Sequence, residues 1–490
     1  MENRIMKIRN LVLISGTLLL INIGCVDLEE TPKDFIEPSN FYNSPGQIEA
    51  AFVSAMSRLY SEWDVYSYGH GNFADDDQLF GGTLTISNNH GSGLWNAHYA
   101  SIADLNPAIS ALNDDKLGTS APPEQKAELM AQAKFLRAFN YFNLVRLFGD
   151  VPLITEETDV VNEEILRAPI RDVYALIESD LQFAIENLPP TWPEEAHGRP
   201  SAGAAKTLLA KVYITMATAP LNDASYFAKA REMAADVMDD NIYSLVPDIN
   251  KVFALENAYG PEMMWSFNAA EDDNSTPPQI WLPGTMADGW GDFKADRVWG
   301  ENYPAQPRKD AYLILEDWDG THWTEWNSTT TPHVRKYTYD TRENQERLRS
   351  VQNIPILRYA EVLLLFAEAE NMEQGGPTPA AVNAVNQIID RANDYVPNPE
   401  DPLLTTAMSQ ADFDAAVIEQ RNLELCFEYD RWHDLVRKRI LCDMTIPEYQ
   451  QNCDENDYLW PIPDTDLRLN PALGPNNPGY TTPEPSAGGG

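Results

Sequence analysis

Apolar residues recur at helical spacing through most of the chain, over about 96–112, 124–148, 170–187, 201–218, 226–239, 356–373, 379–392 and 410–438. Helix starts are legible as well. Ser44, Pro45 and Gln47 combine an N-cap, a first-turn proline and a capping-box partner for a helix running to about Tyr60. Thr378 with Pro379, and Ser409 with Asp412, repeat that logic further along. In the segment holding Phe135, Leu136, Phe139, Tyr141, Phe142, Leu144, Val145 and Leu147 the apolar residues occupy more than one helix face. Such a helix needs neighbours on two sides.

Stacked helix pairs supply that cover. The stretches 201–218 with 226–239, and 356–373 with 379–392, fit a repeat near 34 residues, the tetratricopeptide period, though with degenerate spacing. From about 241 to 354 the pattern breaks into Pro, Gly, Asp, Asn and aromatics, with short extended runs such as Met263 to Phe267. Six of the 12 Trp fall within 46 residues of it: Trp281, Trp290, Trp299, Trp318, Trp323 and Trp326. A second loop-rich stretch, about 63–95, holds Trp63, Tyr66, Tyr68, His70, Asp75 to Asp77, Asn88, Asn89 and His90. The end of the chain, 455–490, is irregular. The expected fold class is mainly α: a tetratricopeptide-like helical-repeat scaffold at about 40–62, 96–240 and 355–440, with a large irregular, loop-rich ligand-binding half.

Composition narrows the function. At 490 residues and 43% hydrophobic, the chain is folded rather than disordered. Its 35 Lys+Arg against 75 Asp+Glu give a formal charge of -40, which disfavours nucleic acid and an anionic bilayer as electrostatic partners. Membrane contact would have to come from the N-terminus. There Arg4, Lys7 and Arg9 precede an apolar run, Leu11 to Ile23, that reaches only about 20 Å as a helix, short of the roughly 30 Å bilayer core. This is the plan of a signal peptide over residues 1–24. Gly24–Cys25 resembles a bacterial lipobox, with Asn22 departing from the usual aliphatic residue, so Cys25 is the expected lipidation site. Asp27, Glu29 and Glu30 resemble an acidic tag for export to the cell surface. Two or three acyl chains, at about 0.8 kcal/mol per methylene, anchor stably. Of the other cysteines, Cys442 and Cys453 could pair, and Cys426 sits in an apolar helical stretch as a small hydrophobe.

Signatures of catalysis fail one by one. The seven His include no HExxH, Gly203 to Thr207 has Ala205 where a phosphate loop needs Gly, and His90 to Gly93 makes no nucleophile elbow. Close carboxylate pairs are unavoidable among 75 acidic residues, so they do not point to a glycosidase. Arg358 with Glu361, Arg421 with Glu424, and Glu428, Arg431 and Asp434 fall at intervals of three, which suits ion pairs on or between helices. No EF-hand loop appears: Asp317, Asp319 and Gly320 lack the spacing, so no cofactor is expected and structural calcium has no motif behind it. The Trp cluster has two readings, a satellite core under a long insertion, or a platform for the apolar faces of sugar rings flanked by polar partners for their hydroxyls.

Several segments together resemble the SusD/RagB family of surface glycan-binding lipoproteins. They are Leu147 to Leu153 (LFGDVPL), Gly198 to Tyr213 (GRPSAGAAKTLLAKVY), Arg358 to Glu370 (RYAEVLLLFAEAE), Arg421 to Arg437 (RNLELCFEYDRWHDLVR) and Leu459 to Tyr480 (LWPIPDTDLRLNPALGPNNPGY), in the family's order and nearly end to end. Gln420 departs where Glu is usual, and Tyr429 where a small Gly is common. The resemblance implies a tetratricopeptide-like scaffold and no catalysis. It also implies a lipid-anchored location on the outer membrane and a SusC-like TonB-dependent transporter as partner, over which the protein sits as a lid delivering oligosaccharide.

Ligand contacts in that family lie in variable loops, so the candidate glycan-binding residues rest on composition. They are Trp281, Trp290, Trp299, Trp323 and Trp326 for stacking, and Tyr68, Asp76, Asn88 and Asn89 for hydroxyls. Trp95, expected to open a helix with Tyr99, Ile102 and Leu105, is a secondary candidate. A neutral glucan or mannan is favoured over an anionic polysaccharide unless Lys294, Arg297, Arg308, Lys309, Arg335 and Lys336 gather into one basic patch. The alternatives are a glycoside hydrolase and a helical scaffold that binds peptides.

Overall fold

The structure, a computed structural model, describes residues 41–61, 89–161, 164–193, 196–269, 278–291, 294–326, 331–339, 341–346, 350–428, 430–443 and 453–483. Helices α1 (Pro45–Ser61), α2 (Asn89–Asn113) and α3 (Pro123–Phe148) lead into a small antiparallel pair, β1 (Val151–Pro152) with β2 (Arg167–Ala168), and then into α4 (Ile170–Asn187), α5 (Ala202–Ala217) and α6 (Tyr226–Asp239). Each of these helices packs on the next in sequence. The two-sided apolar helix is α3, where Phe135 to Phe148 are buried almost throughout between α2 and α4.

The insertion then departs along β3 (Met263–Phe267) and carries α7 (Arg297–Asn302), α8 (Pro307–Tyr312), β4 (Leu313–Ile314), β5 (His333–Val334) and α9 (Arg342–Glu346). It returns along β6 (Ile354–Arg358), which pairs antiparallel with β3, Met263 opposite Arg358 and Phe267 opposite Ile354. This two-stranded clasp closes the insertion at its base. The chain re-enters the stack as α10 (Tyr359–Gln374), which packs on α6, followed by α11 (Pro379–Ala392), α12 (Gln410–Glu424), α13 (Arg431–Arg437) and, near the end, α14 (Asp464–Leu469). Helix contact between α6 and α10 therefore continues the solenoid as though the insertion were absent.

Two caps follow the sequence reading: Thr378 accepts from the Ala381 N–H and Ser409 from the Asp412 N–H, while the Gln47 side chain accepts from the Asn43 N–H, one residue before the expected Ser44. Three boundaries differ. The stretch 410–438 is two helices, because Phe427 takes a φ of 63°, which ends a right-handed helix. The stretch 356–373 opens as strand β6, because pairing with β3 takes its first residues. Helix α2 begins at Asn89, earlier than expected, so Trp95 lies within it and not at its opening. Cys442 and Cys453 form a disulfide, and Cys426 is buried and unbridged, its thiol pushed up to about 11 by burial. Cys25, Tyr68, Asp76 and Asn88 lie outside the described residues.

Candidate functional site

The tryptophans of the insertion do not form one exposed shelf. Trp281 is 1% exposed, Trp299 8%, Trp323 5% and Trp326 4%, whereas Trp290 is 61% exposed. A ring so enclosed has no free face for a sugar, which corrects the stacking expectation for four of the five. Packing explains each. Trp281 lies 4.7 Å from Tyr337 in the main core, and Trp299 meets Tyr303 and Phe427 edge-on at 5.1 and 5.8 Å. Trp323 and Trp326 build a second small core with Leu282, Met286 and Ile314. The satellite-core reading thus accounts for Trp323 and Trp326. Trp95 is also buried, edge-on to Phe148 at 5.0 Å with its indole N–H donating to Asp466, and holds helix packing together. Asn89 opens α2, and its side chain lies outside the described residues.

Trp290 is presented on a loop that the small core supports. Its N–H donates to the Gln279 carbonyl at 2.7 Å, and Gln279 is itself buried. Neighbouring glycines let the backbone lie close beneath it. A Cβ on Gly289 would come within 2.1 Å of the Leu282 carbonyl oxygen, and one on Gly291, at φ 63°, within 2.7 Å of the His333 ring. His333 packs on Trp326 and lies 3.2 Å from the Trp281 carbonyl oxygen. Its pKa is pushed down to about 4, chiefly by burial, so the ring beneath the loop is neutral at neutral pH. The chain thus holds a large apolar ring mostly in water on a braced backbone.

A cleft of about 670 Å³ opens on the same insertion, lined by Asn250, Glu301, Lys309, Asp310, His322 and the edge of Trp323 among others. Of these, Trp323 and Lys309 were singled out in the sequence, whereas Asn250, Glu301, Asp310 and His322 were missed, since scattered polar groups in loops carry no periodic signal. Trp318 is half-buried, and the Arg342 guanidinium lies over its ring at 4.2 Å, which occupies that face. A larger cleft of about 740 Å³ lies on the scaffold, between the end of α3, α4, α13 and the C-terminal segment. Its arginines are already engaged: Arg146 with Asp430, Arg167 with Asn477, and Arg437 with Glu368 and Asp434.

The basic residues of the insertion do not gather. Arg308 and Lys336 are buried; Arg308 pairs with Asp401 and Glu424, and Lys336 with Glu428. Arg297 is tied to Glu301 on its own helix. The intervals of three read from the sequence also resolve into contacts between elements. Arg358 bonds Glu262, Glu424 and Glu428; Arg391 bonds Glu262 and Glu424; Arg421 reaches Asp434 and Glu361. Burial opposes ionisation of Glu424, but Arg391, Arg358, Arg308 and Lys336 outweigh it and hold the carboxyl far below the usual range.

Residues 49–214 match a family described as starch-binding and associating with the outer membrane, and residues 263–480 match the SusD family. The chain is 31% identical to SusD-like protein P2 of Formosa agariphila, covering 94% of this chain and 98% of that one. The chain belongs to the SusD family. Its fold is likewise that of solved SusD structures. A SusD superfamily protein from Parabacteroides distasonis superposes with TM-score 0.76 at 24% identity, covering 89% of this chain and 99% of that one. A laminarin-binding SusD-like protein superposes with TM-score 0.71 at 22% identity, covering 90% and 100%. The SusD segments seen in the sequence are structural joints. Gly149 ends α3 at φ 72° and Asp150 accepts from the first N–H of α4; Ser201 caps α5; Lys211 and Arg421 meet Asp430; Asn477 ties the C-terminal segment to the Phe148 and Trp460 carbonyls.

Proposed function

We propose that this SusD-family chain is a non-catalytic glycan-binding lipoprotein. Anchored by acylated Cys25 on the outer face of the outer membrane, it captures neutral oligosaccharide or polysaccharide and delivers it to a SusC-like TonB-dependent transporter. The observation that carries the reading is the exposed indole of Trp290, braced by Gln279, Gly289 and Gly291, whose free face suits the apolar face of a pyranose. Carboxyl, amide and imidazole groups around the cleft on the same insertion suit hydroxyls. Neutral glycan is favoured because Arg297, Arg308 and Lys336 of the insertion are paired with carboxylates of this chain and the chain carries a formal -40. Starch-binding in the family description and laminarin-binding in a structural neighbour point to glucans first. Tyr68, Asp76 and Asn88, with Asn89 at the start of α2, stay in the proposal as hydroxyl partners.

Native affinity electrophoresis against starch, laminarin, xyloglucan, mannan, alginate and pectin tests this. Retardation in one or more neutral gels, with none in alginate or pectin, is the expected result, together with no new reducing ends after prolonged incubation. Steady release of reducing ends would move the assignment to a glycoside hydrolase, and indifference to every gel would favour the peptide-binding scaffold.

A further inference from the structure

A second aromatic pocket lies at the corner where the α4–α5 connection meets the α6–β3 connection. Its volume is about 210 Å³, below the roughly 300 Å³ at which drug-sized sites begin, and the size of one or two sugar rings. It shares no lining residue with the Trp290 loop. Tyr259 stands at its rim 48% exposed, held against His197 with ring centroids 4.9 Å apart. Trp192 faces it from the other connection, its indole N–H bonded to the Pro200 carbonyl and the Arg199 guanidinium 5.4 Å above the ring.

The pocket is built rather than incidental. Gly198 takes a φ of 91° and lies so close to Asn268 that a Cβ would come within 1.7 Å of its Nδ2, which itself donates to the His197 carbonyl. Ser201 and Tyr243 bond hydroxyl to hydroxyl at 2.7 Å. Arg199 is neutralised by Glu49 at 3.0 Å, so the rim offers donors with little net charge. On the floor Trp265 is 1% exposed, and its indole Nε1–H has no hydrogen-bond partner in the protein, an expensive state for a buried donor. One half-exposed tyrosine ring, a half-buried indole and a few polar groups of little net charge suit a sugar residue better than an ion or a purely apolar molecule.

We propose that this corner is a second glycan-binding site, which takes one or two uncharged sugar residues of the same polysaccharide that meets Trp290. The proposal rests on the glycan reading above. Two contacts on one chain raise retention of a polymer well beyond that of a short oligomer, with no new contact at either site.

Titration calorimetry with maltooligosaccharides, laminarin oligosaccharides and xyloglucan oligosaccharides, and affinity electrophoresis with the parent polymers, separate the outcomes. Four proteins are compared: wild type, Tyr259→Ala, His197→Ala and Trp290→Ala, each checked for an unchanged melting temperature. For the glycan bound by wild type, the expected result is that Tyr259→Ala and His197→Ala each weaken polymer retention roughly three- to tenfold. A binding event should also persist in Trp290→Ala and disappear when Tyr259→Ala is added. The proposal is overturned if Trp290→Ala abolishes all binding while the other two variants hold oligomer and polymer as wild type does. If wild type binds none of the panel, the glycan reading itself falls, a result distinct from the loss of this one site.

Discussion

Gln420 occupies a buried gap that its amide fits and a carboxylate would not. Its carbonyl oxygen accepts from Arg308 at 3.1 and 3.2 Å, and its NH₂ donates to Asp401 at 2.6 Å. Family sequences usually carry Glu here, which in this chain would set a second carboxylate against Asp401. The Gln420→Glu variant is therefore expected to lose about 2 kcal/mol, read as a lower urea midpoint at unchanged slope. A midpoint equal to wild type would show that Arg308 alone can hold both carboxylates. Trp290 stands opposite to Gln420, since most of it lies in solvent. Its replacement by alanine should leave the melting temperature unmoved, whereas Trp326→Ala, which empties the small core, should cost about 3–5 kcal/mol.

At the scale of elements, the stack depends on ion pairs that cross from helix to insertion. Glu262 stands just before β3, Arg358 ends β6, Arg391 lies on α11 and Glu424 ends α12, and all four are buried. Together they lock the clasp of the insertion to the last helices. Removing one member strands its partners in a medium that solvates them poorly, so Arg391→Leu should destabilise by roughly 3–5 kcal/mol in chemical denaturation. These joints explain what the sequence made legible. Helix spacing, caps and the SusD segments were readable because each fulfils a local rule or a fixed packing duty: Gly149 ending a helix, Ser201 capping one, Arg358 tying strand to helix through Glu424. The break at Phe427 was not readable, since the apolar spacing runs through it while a positive φ divides the helix.

The proposed binding surface was less legible for the same reason. Trp281, Trp299, Trp323 and Trp326 resemble Trp290 in composition and neighbourhood, and only three-dimensional packing separates a core indole from an exposed one. Aromatics at the second pocket lie in two connections far apart in sequence, Trp192 and His197 in one and Tyr259 in the other, so no window along the chain brings them together.

For the whole molecule, buried titrating groups set the dependence of stability on pH. His98 and His333 are pushed down to about 4, chiefly by burial. Their unfolded forms bind protons from about pH 6.5, so the stability they hold above that pH is lost as pH falls toward 4. Glu361, pushed up to about 7 by burial and Asp430 against the pull of Lys211 and Arg421, works the opposite way over much of that window, as do Glu128, Asp414, Glu419 and Asp457, raised by burial, and this keeps the fall shallow. Below about pH 4 the decline should steepen. Burial opposes ionisation of Glu368 and Glu424, but Arg437 with Lys438, and Arg391 with Arg358, outweigh it, and that stability disappears as their carboxyls are forced to protonate. Melting temperatures recorded from pH 8 to 3 should show a plateau above about 7, a shallow fall and then a steep one. A maximum near pH 4 would contradict the assignment.

The central claim is that a single braced, outward indole binds glycan. Titration of wild type and Trp290→Ala with the neutral glycan that retards the protein most tests it directly. A loss of about tenfold in affinity, or about 1.4 kcal/mol, at unchanged melting temperature is the predicted result. Equal affinity in the two proteins would contradict it.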